Sequence, residues 1–369
     1  MPTDTLRNLL AAFDSELPLD HGRTIPNSWY TDPAVYAAER DAVFAKTWQM
    51  VGRVDQVAGV GAYLTAEIAG EPVLVVRGDD GELRGFFNVC RHRAAPILNE
   101  PCGTATKLRC RYHGWTYDLT GRLRGTPEFD GVAEFCKDDN GLAPITAAEW
   151  GPFVWVHLTP PIQPLAATVG PFHRWIEGRE AFAGLVWYAR KTYDLACNWK
   201  VYVDNYLDGG YHVNTVHPGL AGVLDYREYR TICDGHTVLQ SSPITPATGE
   251  AGRTRTGDLA AYWWVYPNFM VNLYSGVMDT NLVLPLGPDR CRVVFDFYFA
   301  AGTDEGFIRE SIAVADQVQA EDVGICEEVQ RGLNSRSYTT GRFSVKRENG
   351  GYHFHHMLGR ALQAAVSLA

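Results

Sequence analysis

The stretch "CRHRAAPILNEPCGTATKLRCRYHGWTY", residues 90–117, sets Cys90-x-His92 seventeen residues ahead of Cys110-x-x-His113. Two Cys/His pairs on two loops can offer four ligands to one centre, and zinc or an iron–sulfur cluster would accept them. A zinc finger normally pairs cysteine with cysteine and histidine with histidine, whereas each loop here supplies one of each. That division suits a [2Fe–2S] cluster with two thiolates on one iron and two imidazoles on the other. Gly114 in "HGW" permits the tight loop that turns backbone N–H groups toward cluster sulfurs. Sequence chemistry alone leaves both metals open. Structural cysteines beside surface histidines are the plain alternative, and four such residues rarely fall at this spacing by chance.

Outward from this stretch, residues 46–160 read as a small all-β unit. Short apolar runs alternate with Gly and Pro turns, and "GDDG" (78–81) separates two β-rich runs. Residues 1–45 read as loop and helix, expected to pack on a second domain, and "TPPIQPL" (159–165) reads as a linker. Residues 161–369 combine aromatic-rich strands, "AYWWVYPNFMVNLY" (261–274) and "CRVVFDFYFA" (291–300), with a long helical pattern from about 304 to 333. The expected class is α+β.

The chain has 369 residues, 46% of them hydrophobic, enough to bury a sizeable core in two domains. A net charge of −10 gives no basic footprint for nucleic acid. No apolar run reaches a membrane span, and the first twenty residues carry acids where a signal peptide wants a basic and then apolar stretch, so the expectation is a cytoplasmic protein. The eight cysteines read as reduced thiols or metal ligands rather than a disulfide framework.

Further along, "YLDGGYHVNTVHPG" (206–219) carries His212 and His217 five apart. Non-haem iron that activates O₂ is typically held by two histidines and one carboxylate on one face, and these two would serve if the helix loosens after His212. On their own, two histidines in a helix are more often ordinary residues. A late acid would complete the set, and Glu321, Asp322, Glu327 and Glu328 in "ADQVQAEDVGICEEVQRGL" all qualify by chemistry, most of them being a solvated helix face.

The motif Cys90-x-His92 … Cys110-x-x-His113, with "FFNVCRHRAAP" and "CRYHGWTYDLTGRL" around it and "CNWKVYVDNYLDGGYHVNTVH" later, resembles the Rieske non-haem iron oxygenases over nearly the whole chain. The resemblance implies an all-β Rieske [2Fe–2S] domain followed by an α+β catalytic domain of helix-grip type with an antiparallel sheet. It implies that Cys90, His92, Cys110 and His113 hold the cluster, and that His212, His217 and Asp322 hold a mononuclear iron(II), with Glu321 in reserve. O₂ would be the co-substrate. It further implies a head-to-tail homotrimer, in which His113 of one chain reaches His212 of the next through an acid. Many relatives place that acid three residues before the first histidine, where this chain has Gly209. Asp208, four before, is expected on the same helix face, with Asp204 and Asn205 as neighbours that could share the role.

A bare Gly-x-Gly at 59–61 and no P-loop leave no nucleotide-binding domain visible, so a separate ferredoxin or NAD(P)H-dependent reductase is expected. Within the family, "DNYLDGGYHV", "VYPNFMVNLY", "MDTNLVLPLGP", "EDVGICEEVQRGL" and "HFHHML" resemble the choline monooxygenase branch, which implies oxidation of choline to betaine aldehyde hydrate, toward glycine betaine. The sequence departs from plant members at "NTVH" (214–217). Alternatives are hydroxylation or N-demethylation of another quaternary or tertiary amine, or an aromatic-ring-hydroxylating dioxygenase alpha subunit. A quaternary ammonium would want an aromatic cage, with Tyr206, Tyr211, Trp263, Trp264, Tyr266, Phe269 and Tyr274 as candidates. His353, His355 and His356 fit no ligand geometry and are read as surface or C-terminal packing. Residues 241–259 read as a mobile lid.

Overall fold

The computed structural model describes residues 4–217, 219, 223–244 and 250–367. The chain divides into two units, one of residues 44–166 and the other of residues 1–43 with 167–369. Among the described residues no helix is long and apolar enough to cross a membrane.

The 44–166 unit is all-β, as the turn-punctuated sequence predicts. Seven antiparallel strands run in the order Gln49–Arg53, Phe153–His157, Pro144–Trp150, Leu83–Phe87, Glu71–Arg77, Ala62–Ile68 and Cys102–Thr104. "GDDG" closes the hairpin between Glu71–Arg77 and Leu83–Phe87, with Gly78 N–H bonded to the Glu82 carbonyl at 2.9 Å. A second, three-stranded sheet carries Leu108–Arg109, Thr116–Tyr117 and Leu123–Gly125. Leu74, Val76, Phe86, Leu108, Trp115 and Tyr117 form the core between them, and Cys90 and Cys110 lie inside it.

The other unit is α+β. Its seven-stranded antiparallel sheet runs Leu185–Leu195, Arg290–Ala300, Val277–Gly287, Phe269–Tyr274, Leu259–Val265, Thr237–Pro243 and Arg230–Asp234. The helix Glu305–Leu333 starts at Asp304, whose carboxylate accepts the Phe307 N–H at 3.0 Å. Tyr193 and Lys191, both on the first strand of the sheet, bond to Asp316 and pin the middle of this helix. The N-terminal segment belongs to this unit: Gln363 of the C-terminal helix Asn349–Ser367 donates to the carbonyls of Leu10 (3.0 Å) and Phe13 (2.7 Å).

"NWK" (198–200) shows why local sequence matters here. Asn198 caps the helix Trp199–Tyr206 by accepting the Lys200 N–H at 3.0 Å. The Trp199 indole N–H donates to Glu39 Oε2 at 2.8 Å, and Lys200 Nζ meets Glu39 Oε1 at 2.6 Å, with both charged side chains fully buried. A buried pair of this kind is weak evidence of net stability, but removing one partner strands the other charge. Glu39→Ala is therefore expected to destabilise this unit by about 3–5 kcal/mol, read as a lower urea midpoint in the purified holoprotein. A change below about 1 kcal/mol would show that Lys200 finds water or another acceptor.

Candidate metal centres

The two Cys/His loops of the 44–166 unit share one hydrogen-bond pattern. Cys90 N–H donates to the Ala95 carbonyl (2.8 Å) and Ala94 N–H to the Cys90 carbonyl (2.9 Å); Cys110 and Gly114 repeat both bonds, to Trp115 (2.9 Å) and Cys110 (3.0 Å). The residue four after each cysteine has positive φ, +57° at Ala94 and +74° at Gly114. Each loop thus turns its cysteine inward and its histidine outward. Cys90 and Cys110 are 3% and 2% exposed and adjacent. Burial, joined by the Cys90 contact, raises the Cys110 pKa against the opposing N–H of Tyr112. The Tyr117 hydroxyl lies 3.4 Å from Cys90 Sγ and accepts the Arg91 N–H at 3.1 Å.

The imidazoles form a second pair, with ring centroids of His92 and His113 4.6 Å apart. His92 stacks on Trp115 (4.9 Å, 7°), and its Nδ1 is buried without a hydrogen-bond partner. A buried imidazole nitrogen left unsatisfied is costly unless a ligand takes it. Thiols side by side in the core and imidazoles side by side at the rim, His113 being exposed, fit a two-iron cluster better than one tetrahedral zinc.

In the larger unit the histidines and the late acid converge. His212 Nε2 lies 3.0 Å from His217 Nε2, and Asp322 Oδ1 lies 3.2 Å from His217 Nε2 and 3.8 Å from His212 Nε2. One ligand atom from each sits within 4.8 Å of the others, the spacing a single ion can span. Each imidazole is held from behind by a carboxylate, His212 Nδ1 by Asp208 Oδ2 at 2.5 Å and His217 Nδ1 by Glu321 Oε2 at 2.7 Å. Such bonds fix the tautomer that turns Nε2 toward the ion. Burial alone would lower the His217 pKa, but Asp322 and Glu321 outweigh it and hold the imidazole above its ordinary value. Asn205 Nδ2 donates to Asp322 Oδ1 at 2.6 Å.

The backbone differs from the single loosened helix expected. The helix Trp199–Tyr206 ends before Asp208, Gly209 and Gly210 both have φ +71°, and the histidines flank a one-turn helix, Val213–Val216. Asp208 therefore shares no helix face with His212. It reaches back across the glycine turn, its Oδ2 also accepting the His212 N–H at 3.0 Å. A Cβ at 209 would collide with the Arg347 carbonyl, so an acid cannot stand there on this backbone. Glu321, the reserve for the third position, bonds to the far nitrogen of His217. Glu327 accepts the Ala196 N–H at 3.0 Å, and Glu328 faces Arg331 at the surface.

Asp204 is occupied elsewhere, accepting from Tyr30 Oη (2.5 Å) and facing His355 Nε2 (2.7 Å). His355 Nδ1 accepts the Ile25 N–H at 3.0 Å, which puts the proton on Nε2. His356 Nδ1 donates to the Ser15 carbonyl at 2.6 Å, and His353 Nε2 to the Gly235 carbonyl at 2.9 Å. All three histidines stitch the C-terminal helix to its neighbours.

A cavity of about 120 Å³ opens on the His212, His217 and Asp322 atoms. Of the cage candidates, Tyr206 and Tyr274 line it. The others do not: Tyr211 is 56% exposed, Trp263 stacks on Phe172 (4.6 Å), the Trp264 N–H goes to the Pro267 carbonyl (3.2 Å), and Tyr266 and Phe269 are core. Tyr202, Tyr229, Tyr262 and Phe295 take their places. A polar row crosses four strands along the floor, Gln240 opposite Tyr262, Tyr262 opposite Asn272, and Asn272 opposite Asp279. Burial pushes the Asp279 carboxyl up to about 6, against the hydrogen bond from Asn272. Of the expected lid, residues 245–249 lie outside the described residues, and Glu250–Thr254 form a short helix.

Both parts of the chain have counterparts among known proteins. Residues 47–136 match the family model of the Rieske [2Fe–2S] domain, and residues 182–364 that of the ring hydroxylating alpha subunit catalytic domain. The chain is 40% identical to the chloroplastic choline monooxygenase of Arabidopsis thaliana, covering 97% of this chain and 87% of that protein. It is 31% identical to the carnitine monooxygenase oxygenase subunit of Escherichia coli K12, covering 92% and 94%. Among solved structures, the quaternary ammonium Rieske monooxygenase CntA matches with a TM-score of 0.85 at 27% identity, over 97% of this chain and 98% of that one.

Proposed function

Because the chain belongs to the Rieske non-haem iron oxygenases, oxidoreductases that work with a [2Fe–2S] cluster, a mononuclear iron and O₂, we propose that it oxygenates a small quaternary ammonium substrate. The observation that carries this reading is the convergence of His212, His217 and Asp322 on the mouth of a tyrosine-lined cavity. Tyrosine faces attract a cation that cannot donate hydrogen bonds, and Asp279 adds a carboxylate to the same wall. Choline is the first candidate by identity to the plant enzyme, with carnitine and other trimethylammonium compounds behind it.

In this proposal Cys90, Cys110, His92 and His113 hold the cluster, and His212, His217 and Asp322 hold the iron. When bound, the cluster supplies electrons one at a time and the iron supplies oxygen activation. Asp208 and Glu321 keep both imidazoles in the ligating tautomer, Asn205 steadies Asp322, and the tyrosines exclude water while the substrate is oriented. Asp208 also links His212 to His113 of a neighbouring chain in a homotrimer, and an external ferredoxin or reductase feeds the cluster. A cytoplasmic location accompanies this reading.

The test is substrate-dependent O₂ consumption by the iron-loaded protein with a surrogate reductase, supplied with choline, glycine betaine, carnitine or benzoate, and with products identified by mass spectrometry. Substrate-coupled O₂ uptake with formation of an oxidised product, such as betaine aldehyde from choline, is expected from at least one ammonium compound and not from benzoate. Turnover of benzoate alone would replace the proposal with an aromatic hydroxylase.

A further inference from the structure

Arg255 follows the short helix Glu250–Thr254 and is fixed by its neighbour, since Thr256 donates from its hydroxyl to the Ser275 carbonyl (2.7 Å) and accepts the Ser275 N–H on its own carbonyl (3.0 Å). Its side chain is 8% exposed and lines the cavity that holds His212, His217 and Asp322. The guanidinium carbon lies 4.9 Å from the Tyr274 ring centroid. Its Nε is buried with no hydrogen-bond partner, and among the described residues it forms no ion pair. Asp279 and Tyr262 act on it only through space.

A guanidinium cannot shed its proton, and burying that charge with donors unsatisfied is expensive. One ring face offsets only part of that. Lys200, also buried, has Glu39 beside it. The cavity therefore keeps a planar, two-pronged cationic donor for something the protein itself does not provide. Choline would leave it unpaired and bring a second positive charge into the same small space.

We infer that Arg255 receives the carboxylate of a zwitterionic substrate, so that the preferred ligand is a quaternary ammonium acid of the betaine class rather than a quaternary ammonium alcohol. The carboxylate meets the guanidinium in a bidentate pair, and the ammonium end faces tyrosines and Asp279. This rests on the ammonium reading above and narrows it, making Arg255 a specificity-determining residue.

The experiment measures dissociation constants by calorimetry on the iron-loaded holoprotein, anaerobically. The probes are glycine betaine, carnitine, choline and 3,3-dimethylbutanoate, the last keeping the carboxylate and shape of glycine betaine without its positive charge. The better of glycine betaine and carnitine is expected to bind at least about tenfold tighter than choline. Arg255→Gln is expected to weaken that ligand by about 100-fold and to erase the preference, with Arg255→Lys falling between. Choline binding as tightly as both acids in the unaltered protein would overturn the inference and leave the ammonium reading standing. Equal losses for choline and the acids in the Gln variant would overturn it too, as the mark of a structural arginine. If 3,3-dimethylbutanoate binds as tightly as glycine betaine and depends on Arg255, the carboxylate assignment holds and the ammonium reading fails.

Discussion

Replacing His217 by alanine is expected to remove the mononuclear iron and leave the Rieske chromophore untouched. His217 is buried between Asp322 and Glu321, and its Nε2 is one of three donor atoms around the proposed iron position. With it gone, one imidazole and one carboxylate remain, too few for a stable iron(II) site. The cluster donors lie in the separate 44–166 unit, so iron should fall from about three atoms per chain to about two, with substrate-dependent O₂ consumption at background. Metal analysis beside the visible spectrum checks this, and unchanged iron content would sink the ligand assignment. A spectrum lost along with the iron would point to global damage instead.

Asp208→Asn should give the opposite pattern, full metal and little turnover. The substituted amide is close in shape, and its single oxygen can still accept one of the two N–H bonds, from His212 at 3.0 Å and Tyr211 at 3.1 Å, that the carboxylate takes on separate oxygens. What disappears is the negative charge against His212 Nδ1, the group that holds the tautomer and that is proposed to link the two centres. Changes in such a partner cost 10- to 100-fold, and the linking role adds to that, so a fall of at least about 100-fold is expected. The diagnostic readout is reoxidation of the reduced Rieske centre by O₂ with substrate present, followed by stopped-flow absorbance. It should slow in step with turnover while iron content holds. Full activity in the variant would remove Asp208 from the path.

The features legible in the sequence were those carried by local spacing. Cys90, His92, Cys110 and His113 sit on two short loops, and the periodicity of residues 304–333 appears as the helix Glu305–Leu333. Turn residues such as "GDDG" likewise mark a hairpin before any tertiary contact is known. Asp322 was separable from Glu321 only by resemblance, because adjacent acids on one helix differ in nothing but direction; folded, Asp322 faces both histidines and Glu321 bonds the far side of His217. The cavity wall was harder to read. Tyr262, Asn272 and Asp279 are neighbours only across strands, so no window of sequence shows them together. The bulkiest of the cage candidates, Trp263 and Trp264, fill the core instead of the cavity wall. Arg255 gave no local sign, since its meaning lies in the absence of a partner.

The glycine pair at 209–210 ties the placing of the acid to a distant segment of the chain. An acid at 209 is excluded by the left-handed backbone and by the Arg347 carbonyl, 2.0 Å from where its Cβ would stand, and Gly350 in turn leaves 2.8 Å between its own Cβ position and the Leu207 carbonyl. Asp208, the two glycines and the segment at 347–350 thus form one interlocked unit behind His212. A side chain at 209 could be accommodated only if the 347–350 segment moved with it.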